Sequence, residues 1–299
     1  MIDSSLQLQA LRCDTALLPG LAPARLQLHI LRLDLLHPVL GGNKGFKLRL
    51  NIDAALAQGH HTLLSFGGAY SNHLAALATA ARLAGLRSIG LVRGELPRPL
   101  NPVLRHAAEQ GMTLLSVTRS DYRRKTDPDF IASLERHWGP FHLIPEGGAN
   151  RFGVAGCAAM AEHLPAEALA AGSTVAMACG TGGSLAGLLN GLARREARCR
   201  ALGVAVLKGG DFLRPAVAGW LDTSGQVPLW DIDTRHDCGG YAKRSDALNK
   251  FINEFIEMND IPVEPVYTGK LLYALRELAR RDHFPEGARV TAIHTGGIW

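Results

Sequence analysis

The chain has 299 residues, 47% hydrophobic and 20% charged, a balance that fits an ordinary soluble globular protein of one large domain or two intimate ones. Its formal charge of +5 is mild. The cations are dispersed apart from short clusters such as Arg123, Arg124 and Lys125, without interleaved aromatics, which argues against a nucleic-acid partner.

No apolar run approaches the roughly 20 residues that span a bilayer, so a membrane partner is not expected. Five scattered cysteines (Cys13, Cys157, Cys179, Cys199, Cys238) form no C-x-x-C, which predicts reduced thiols and neither a disulfide framework nor a zinc knuckle. The twelve histidines include no H-E-x-x-H, and no metal is expected. The opening "MIDSSLQLQA" lacks a cationic leader followed by an apolar block, and a cytoplasmic location is the expectation.

The first informative stretch is "GGNKGFKLRL", Gly41 to Leu50, where Lys44 follows two glycines and an asparagine. Leu48, Ile52, Ala55 and Leu56 keep helical spacing until Gly59. Lys44 is then either a solvated cation in the first turn or a side chain reaching for something the bent backbone admits. "TLLSF" reads as a buried strand, followed by "GGAYSN" and an alanine-rich helix, His73 to Ala84. "SIGLV", "MTLLSV" and "FHLIP" continue as strands, separated by helical stretches at Val103 to Gln110 and Asp129 to Trp138. "TVAMAC" runs through "GTGGS" into a helix, Leu185 to Arg195, and then "ALGVAVL".

Buried strands alternating with helices predict an α/β fold: two open, twisted, mostly parallel-sheet lobes. The smaller, 47–145, is expected to be inserted into a larger domain made of 1–46 and 146–299. In such sheets ligands sit at the carboxyl ends of strands, so the strand-to-helix loops should carry function.

In the loop Gly180-Thr181-Gly182-Gly183-Ser184, N–H groups at a helix start, the helix dipole and two hydroxyls suit a dianionic phosphate. No Gly-Lys-Ser/Thr ending makes it a P-loop, and a dinucleotide fingerprint would need glycine at Leu185. In "SFGGAYSNH", Ser71 can cap the next helix or hold a carboxylate, and without a G-x-S-x-G elbow it is a weak hydrolase nucleophile. A phosphate cup, a second anion cup and a poised lysine together suggest pyridoxal 5'-phosphate, with Lys44 as Schiff-base partner.

"GGNKGFKL", "FGGAYSNH", "GTGGS", "VYTGK" and "HTGG" stand in an order and spacing that resembles the aminocyclopropane-carboxylate deaminase and D-cysteine desulfhydrase family of fold-type-II pyridoxal-phosphate enzymes. The similarity begins near "ILRLD" and spans nearly the whole chain. It implies a tryptophan synthase β-like fold, a small amino-acid substrate and a homodimer. It also implies Lys44 as the Schiff-base lysine, with Lys47 in a structural or electrostatic role. Asn72 would bond the cofactor's 3'-oxygen, and Gly180, Thr181, Gly182, Gly183 and Ser184 would hold its phosphate. Ser71 would take the substrate carboxylate or serve as nucleophile, beside Tyr70, Asn72 and His73. Tyr241 and Tyr267 would assist proton transfer, while Thr268 and Thr295 would lie beside the pyridine nitrogen.

Cyclopropane-opening members resemble "VYEGK" and "HLGG", with glutamate and leucine at those two places, whereas the desulfhydrases resemble the sequence here. The resemblance thus implies α,β-elimination of D-cysteine, with cyclopropane deamination or a catalytically silent cofactor-binding protein as alternatives. Tyr70 stands where the family has glutamine and Arg49 where it has an acid. The chain reaches only Trp299 after "HTGG", where longer members continue.

Overall fold

The computed structural model describes residues 11–222 and 225–297. Two short strands open it, β1 (Cys13–Ala16) and β2 (Leu26–Leu31). Helix α1 (Asn43–Ala57) then begins a run of βα units. These are β3 (Thr62–Gly67), α2 (Asn72–Leu83), β4 (Arg87–Arg93), α3 (Pro102–Glu109), β5 (Thr113–Val117), α4 (Pro128–Trp138) and β6 (His142–Ile144). A second run holds β7 (Thr174–Cys179), α5 (Gly183–Arg194), β8 (Arg200–Ala205), β9 (Trp230–Asp233), α6 (Asp246–Asn259), α7 (Thr268–Arg280) and β10 (Ala288–Ile293).

Among the described residues the chain divides into two compact units, one spanning Lys44–Gly156 and the other combining residues 11–43 with the described residues from Cys157 to 297. Each has its own sheet. The first sheet has strand order β5-β4-β3-β6, all parallel. The second has order β1-β2-β10-β7-β8-β9, and only the β1–β2 pair is antiparallel. The fold is α/β with two open, mostly parallel sheets, as the alternation of elements requires.

In the six-stranded sheet, residues two apart share a face. Leu28 and Ile30 of β2, Ala176 and Ala178 of β7, Val204 of β8, and Val290 and Ala292 of β10 pack into one core with Phe251 and Phe255 of α6 and Leu271, Leu275 and Leu278 of α7. Strands β3 and β7 are buried at every position, which is why they read as continuous apolar runs. By contrast β2 alternates, with Gln27 exposed and His29 half-buried, and β9 is only four residues long, so neither stands out by composition. In the four-stranded sheet Leu64, Phe66, Ile89 and Leu91 cover one face with Tyr122 and Phe141, backed by Phe130, Ile131 and Leu134.

Both strand-to-helix loops highlighted by the sequence lie at carboxyl ends of central strands: 68–71 after β3, and 180–182 after β7. Helix α5 starts at Gly183, earlier than apolar spacing indicates, because Gly182 takes the left-handed conformation (φ 80°) and turns the chain directly into it.

Candidate active site

In the larger unit the two glycines before the lysine answer to a close backbone approach. Gly41 N–H donates to the His37 carbonyl at 2.8 Å and Gly42 N–H to the Leu33 carbonyl at 2.6 Å. Gly42 has φ 72°, and a Cβ there would fall inside the carbonyl of Thr295, so no side chain fits. Conversely, a Cβ on Gly296 would come within 2.9 Å of the Gly41 carbonyl oxygen. "GGN" and "HTGG" are therefore packed main chain to main chain. Asn43 continues the contact, donating through Nδ2 to Ser184 Oγ at 2.8 Å. Three motifs separated by over a hundred residues meet there, and Lys44 is the next residue along.

The loop after β7 is shaped as its glycines suggest. The first intrahelical bond of α5 runs from Ala186 N–H to the Gly182 carbonyl, so the N–H groups of residues 183–185 lie ahead of the ladder, and no side chain caps them. Thr181 is exposed and Ser184 buried. Ser184 Oγ accepts from Asn43, which leaves the hydroxyl proton to be donated. Gly180 lies against Tyr267, since a Cβ there would contact that ring at 3.5 Å. Tyr267 Oη donates to Tyr241 Oη at 3.2 Å, the rings meeting edge to face at 6.1 Å. The half-exposed Tyr241 and Tyr267 thus form a phenol pair beside the loop.

Thr268 and Thr295 are both buried. Thr268 Oγ1 has no hydrogen-bond partner among the described residues. A buried hydroxyl left unpaired costs free energy, so it signals a missing partner. Its position is fixed by Glu264, a residue the sequence reading did not single out. The Glu264 carboxylate accepts from the N–H groups of Val266 (2.6 Å), Tyr267 (2.9 Å) and Thr268 (2.6 Å) at the start of α7. The signal available was an acid four residues ahead of a helix. His294 does the same for Thr295. Its Nδ1 accepts from Gly296 N–H at 3.1 Å and its Nε2–H donates to the Pro262 carbonyl at 2.8 Å, which defines a neutral tautomer. Burial holds its pKa below the ordinary histidine value.

In the smaller unit Lys44 and Lys47 share a helix and differ in their surroundings. Lys47 is buried and donates through Nζ to the Gly147 carbonyl at 2.8 Å, while Lys44 is half-buried. Ser71 is the N-cap of α2, its hydroxyl accepting from Leu74 N–H at 3.3 Å, and Asn72 is the helix's first residue. The preceding loop is tied by Asn101 Nδ2 to the Ala69 carbonyl at 2.8 Å. Tyr70 is 73% exposed.

His73 does not offer a charged side chain to a carboxylate. Its ring is buried, with Nε2 2.9 Å from Ser65 Oγ, and burial together with Lys44 and Lys47 pushes its pKa down to about 3. What it can offer a ligand is its main-chain N–H in the first turn of α2. Among the described residues no group of His, Cys, Asp or Glu side chains could hold a metal ion, and no helix is long and apolar enough to cross a membrane.

The family model described as pyridoxal-phosphate dependent enzyme matches residues 13–296. The chain belongs to this family. Within it, the chain groups with the aminocyclopropane-carboxylate deaminases and D-cysteine desulfhydrases of fold type II. It is 28% identical to a protein of Pyrococcus horikoshii provisionally named 1-aminocyclopropane-1-carboxylate deaminase, over 90% of this chain and 84% of that one. It is equally 28% identical to D-cysteine desulfhydrase of Yersinia pestis, over 91% of this chain and 86% of that one. A solved structure described as an ACC deaminase homologue superposes with a TM-score of 0.82 at 27% identity, covering 98% of this chain and 91% of the other.

The cofactor of this family is pyridoxal phosphate, and the residues present fit it. The uncapped start of α5 and the Ser184 hydroxyl suit its phosphate. The Thr268 hydroxyl, without a partner among the described residues, would supply a donor for a ring nitrogen. Lys44, the residue after the interlocked "GGN", has the primary amine that a Schiff base with its aldehyde would require.

Proposed function

We propose that the protein is a lyase that removes the β-substituent of a small amino acid, with D-cysteine as the substrate giving pyruvate, hydrogen sulfide and ammonia. The observation that carries this reading is the buried, partnerless hydroxyl of Thr268, together with Thr295, at the places where the cyclopropane-opening enzymes are read to have glutamate and leucine. When bound, pyridoxal phosphate supplies an electron sink for the bond broken at Cα. A carboxylate at its ring nitrogen would favour a protonated ring and a strong sink. A neutral hydroxyl leaves a weaker one, sufficient when an α-proton is removed and the β-group is already a good leaving group.

The chain's own residues then divide the work. The N–H groups of residues 183–185, with Thr181 and Ser184, hold the phosphate. Lys44 would hold the aldehyde and, when its amine is free, would take the proton from Cα. Ser71, Asn72 and the His73 main-chain N–H would receive the substrate carboxylate, and Asn72 would also bond the 3'-oxygen. Tyr267 and Tyr241 deliver a proton to the departing hydrosulfide. Water finally releases ammonia, so D-cysteine and one water give pyruvate, hydrogen sulfide and ammonia in balance.

A second reading, cyclopropane deamination to 2-oxobutyrate, is favoured by the ACC deaminase homologue that shares this chain's fold over nearly its whole length. Incubating the holoenzyme separately with D-cysteine, L-cysteine and aminocyclopropane carboxylate distinguishes the two. Pyruvate from D-cysteine with negligible 2-oxobutyrate is the expected result; faster turnover of the cyclopropane than of either cysteine overturns it. The double variant Thr268→Glu, Thr295→Leu should lose sulfide release. A homodimer in the cytoplasm belongs to the same proposal, and sedimentation of the purified protein checks the dimer.

A further inference from the structure

Helix α7 carries a second feature outside the steps above. Lys270 lies one turn behind Tyr267 and its side chain is fully buried. Its Nζ donates to three main-chain carbonyls: Gly240 at 2.6 Å, Asp237 at 2.7 Å and Val206 at 3.2 Å. Three ammonium hydrogens meet three carbonyl oxygens, so the hydrogen bonds of the cation all run to main chain. An ammonium taken out of water costs several kcal/mol unless it is compensated, and a nonpolar side chain would fill the same volume without that cost.

Two of the carbonyls belong to a loop of unusual conformation. Cys238, Gly239, Gly240 and Ala242 all have positive φ (52°, 90°, 110° and 55°), two of them at residues that rarely adopt it. Tyr241 sits inside that run. Such a backbone persists only where its surroundings over-determine it. The third carbonyl, Val206, directly follows β8, so the cation ties the loop to the end of a core strand.

We propose that Lys270 is a positioning residue that acts as a tethered monovalent cation: its ammonium fills a cage of main-chain carbonyls and thereby holds the 237–242 loop, and with it the phenol of Tyr241 against Tyr267. Ring-of-carbonyl coordination is the chemistry that suits potassium or ammonium ions. Here the ion is covalently attached. Only the catalytic consequence rests on the elimination reading; the cage itself does not.

The test is chemical rescue of Lys270→Ala in the full-length holoenzyme. The substitution removes three methylenes and the ammonium, which n-propylammonium replaces atom for atom. Propan-1-ol has the same shape without the charge. Main-chain hydrogen exchange across 237–242 is the primary readout. Exchange should rise about tenfold or more in the variant and return toward the wild-type rate with saturating n-propylammonium but not with propan-1-ol. In parallel kcat should fall while cofactor affinity is retained, and both amine effects should coincide. Equal rescue by the alcohol, or no rescue by the amine, overturns the proposal. If the alanine variant does not fold, its refolding yield against the same two additives gives the same decision. Lys270→Met, neutral and of similar length, should also loosen the loop; wild-type protection in that variant overturns the proposal. Exchange needs no turnover, so a rescued loop in an enzyme inactive on D-cysteine indicts the substrate assignment and leaves the role of Lys270 standing.

Discussion

Lys44 and Lys47 are three residues apart on α1, yet their surroundings differ. Lys47 is committed to the Gly147 carbonyl inside its own unit, which matches a structural role. Lys44 follows the segment Gly41–Asn43, locked against Thr295 and Ser184. Borohydride treatment of the holoenzyme should therefore fix the cofactor covalently to Lys44, and peptide mapping that finds the adduct on Lys47 would contradict the assignment. His73 carries a second prediction at this scale. Its pKa falls from the ordinary 6.5 to about 3 in the fold. Below pH 6.5 the unfolded chain binds a proton that the native state refuses, so stability declines as the pH drops from 6.5 toward 3 and is unaffected above. The shift corresponds to several kcal/mol as an order of magnitude when the titration is complete. In His73→Gln, the urea midpoint should vary less between pH 6.5 and 4 than in the wild type. An identical slope in the two proteins would show that His73 already titrates normally.

Helix α5 and its approach loop are the element on which the proposed cofactor binding turns. Gly182 is a poor place to test it, because its φ of 80° and the Val217 methyl at 2.8 Å from a would-be Cβ make any substitution a folding defect. Gly180 is a better one. Its φ is not positive, and a Cβ would make ordinary contact with Tyr267 at 3.5 Å. Gly180→Asp should leave thermal unfolding of the apoprotein within a few degrees of wild type. It should weaken cofactor binding at least tenfold, since a carboxylate facing phosphate in a partly dry cup is repelled by an amount on the order of a few kcal/mol. Absorbance titration with pyridoxal phosphate reads the affinity, and unchanged binding would move the phosphate elsewhere. Helix α7 shows the complementary device. Glu264 occupies the donors at its start, so this helix spends its N-terminus on fixing Tyr267 and Thr268, whereas no side chain caps the start of α5.

Across the whole molecule the two units are built differently from the chain. The unit Lys44–Gly156 is continuous among the described residues, with four parallel strands joined in sequence. The other needs both ends, because β2, which carries β1 on its outer edge, pairs with β10, about 260 residues later. A fragment of residues 44–156 should consequently give a cooperative denaturant transition by circular dichroism, while residues 157–299 without the first strands should not. Loss of the transition in the former would mean that its sheet depends on the rest of the chain.

Much of this molecule was determined by local sequence. Buried strands such as "TVAMAC", alanine-rich helices and glycine-terminated loops specify the βα alternation, because hydrophobic period and turn chemistry act within a few residues. The ordered motifs named the cofactor for the same reason: a phosphate cup at a helix start is a local object. The tertiary structure decided the rest. Nothing in "GGN" reveals that Gly42 must clear the Thr295 carbonyl, that Asn43 bonds Ser184, or that Lys270 is surrounded by carbonyls from two other segments. It also decided that His73, read from sequence as part of a substrate site, is a buried neutral ring bonded to Ser65. Those facts depend on close approach between residues far apart in the chain, and burial, main-chain contact and desolvation exist only once the chain has closed on itself.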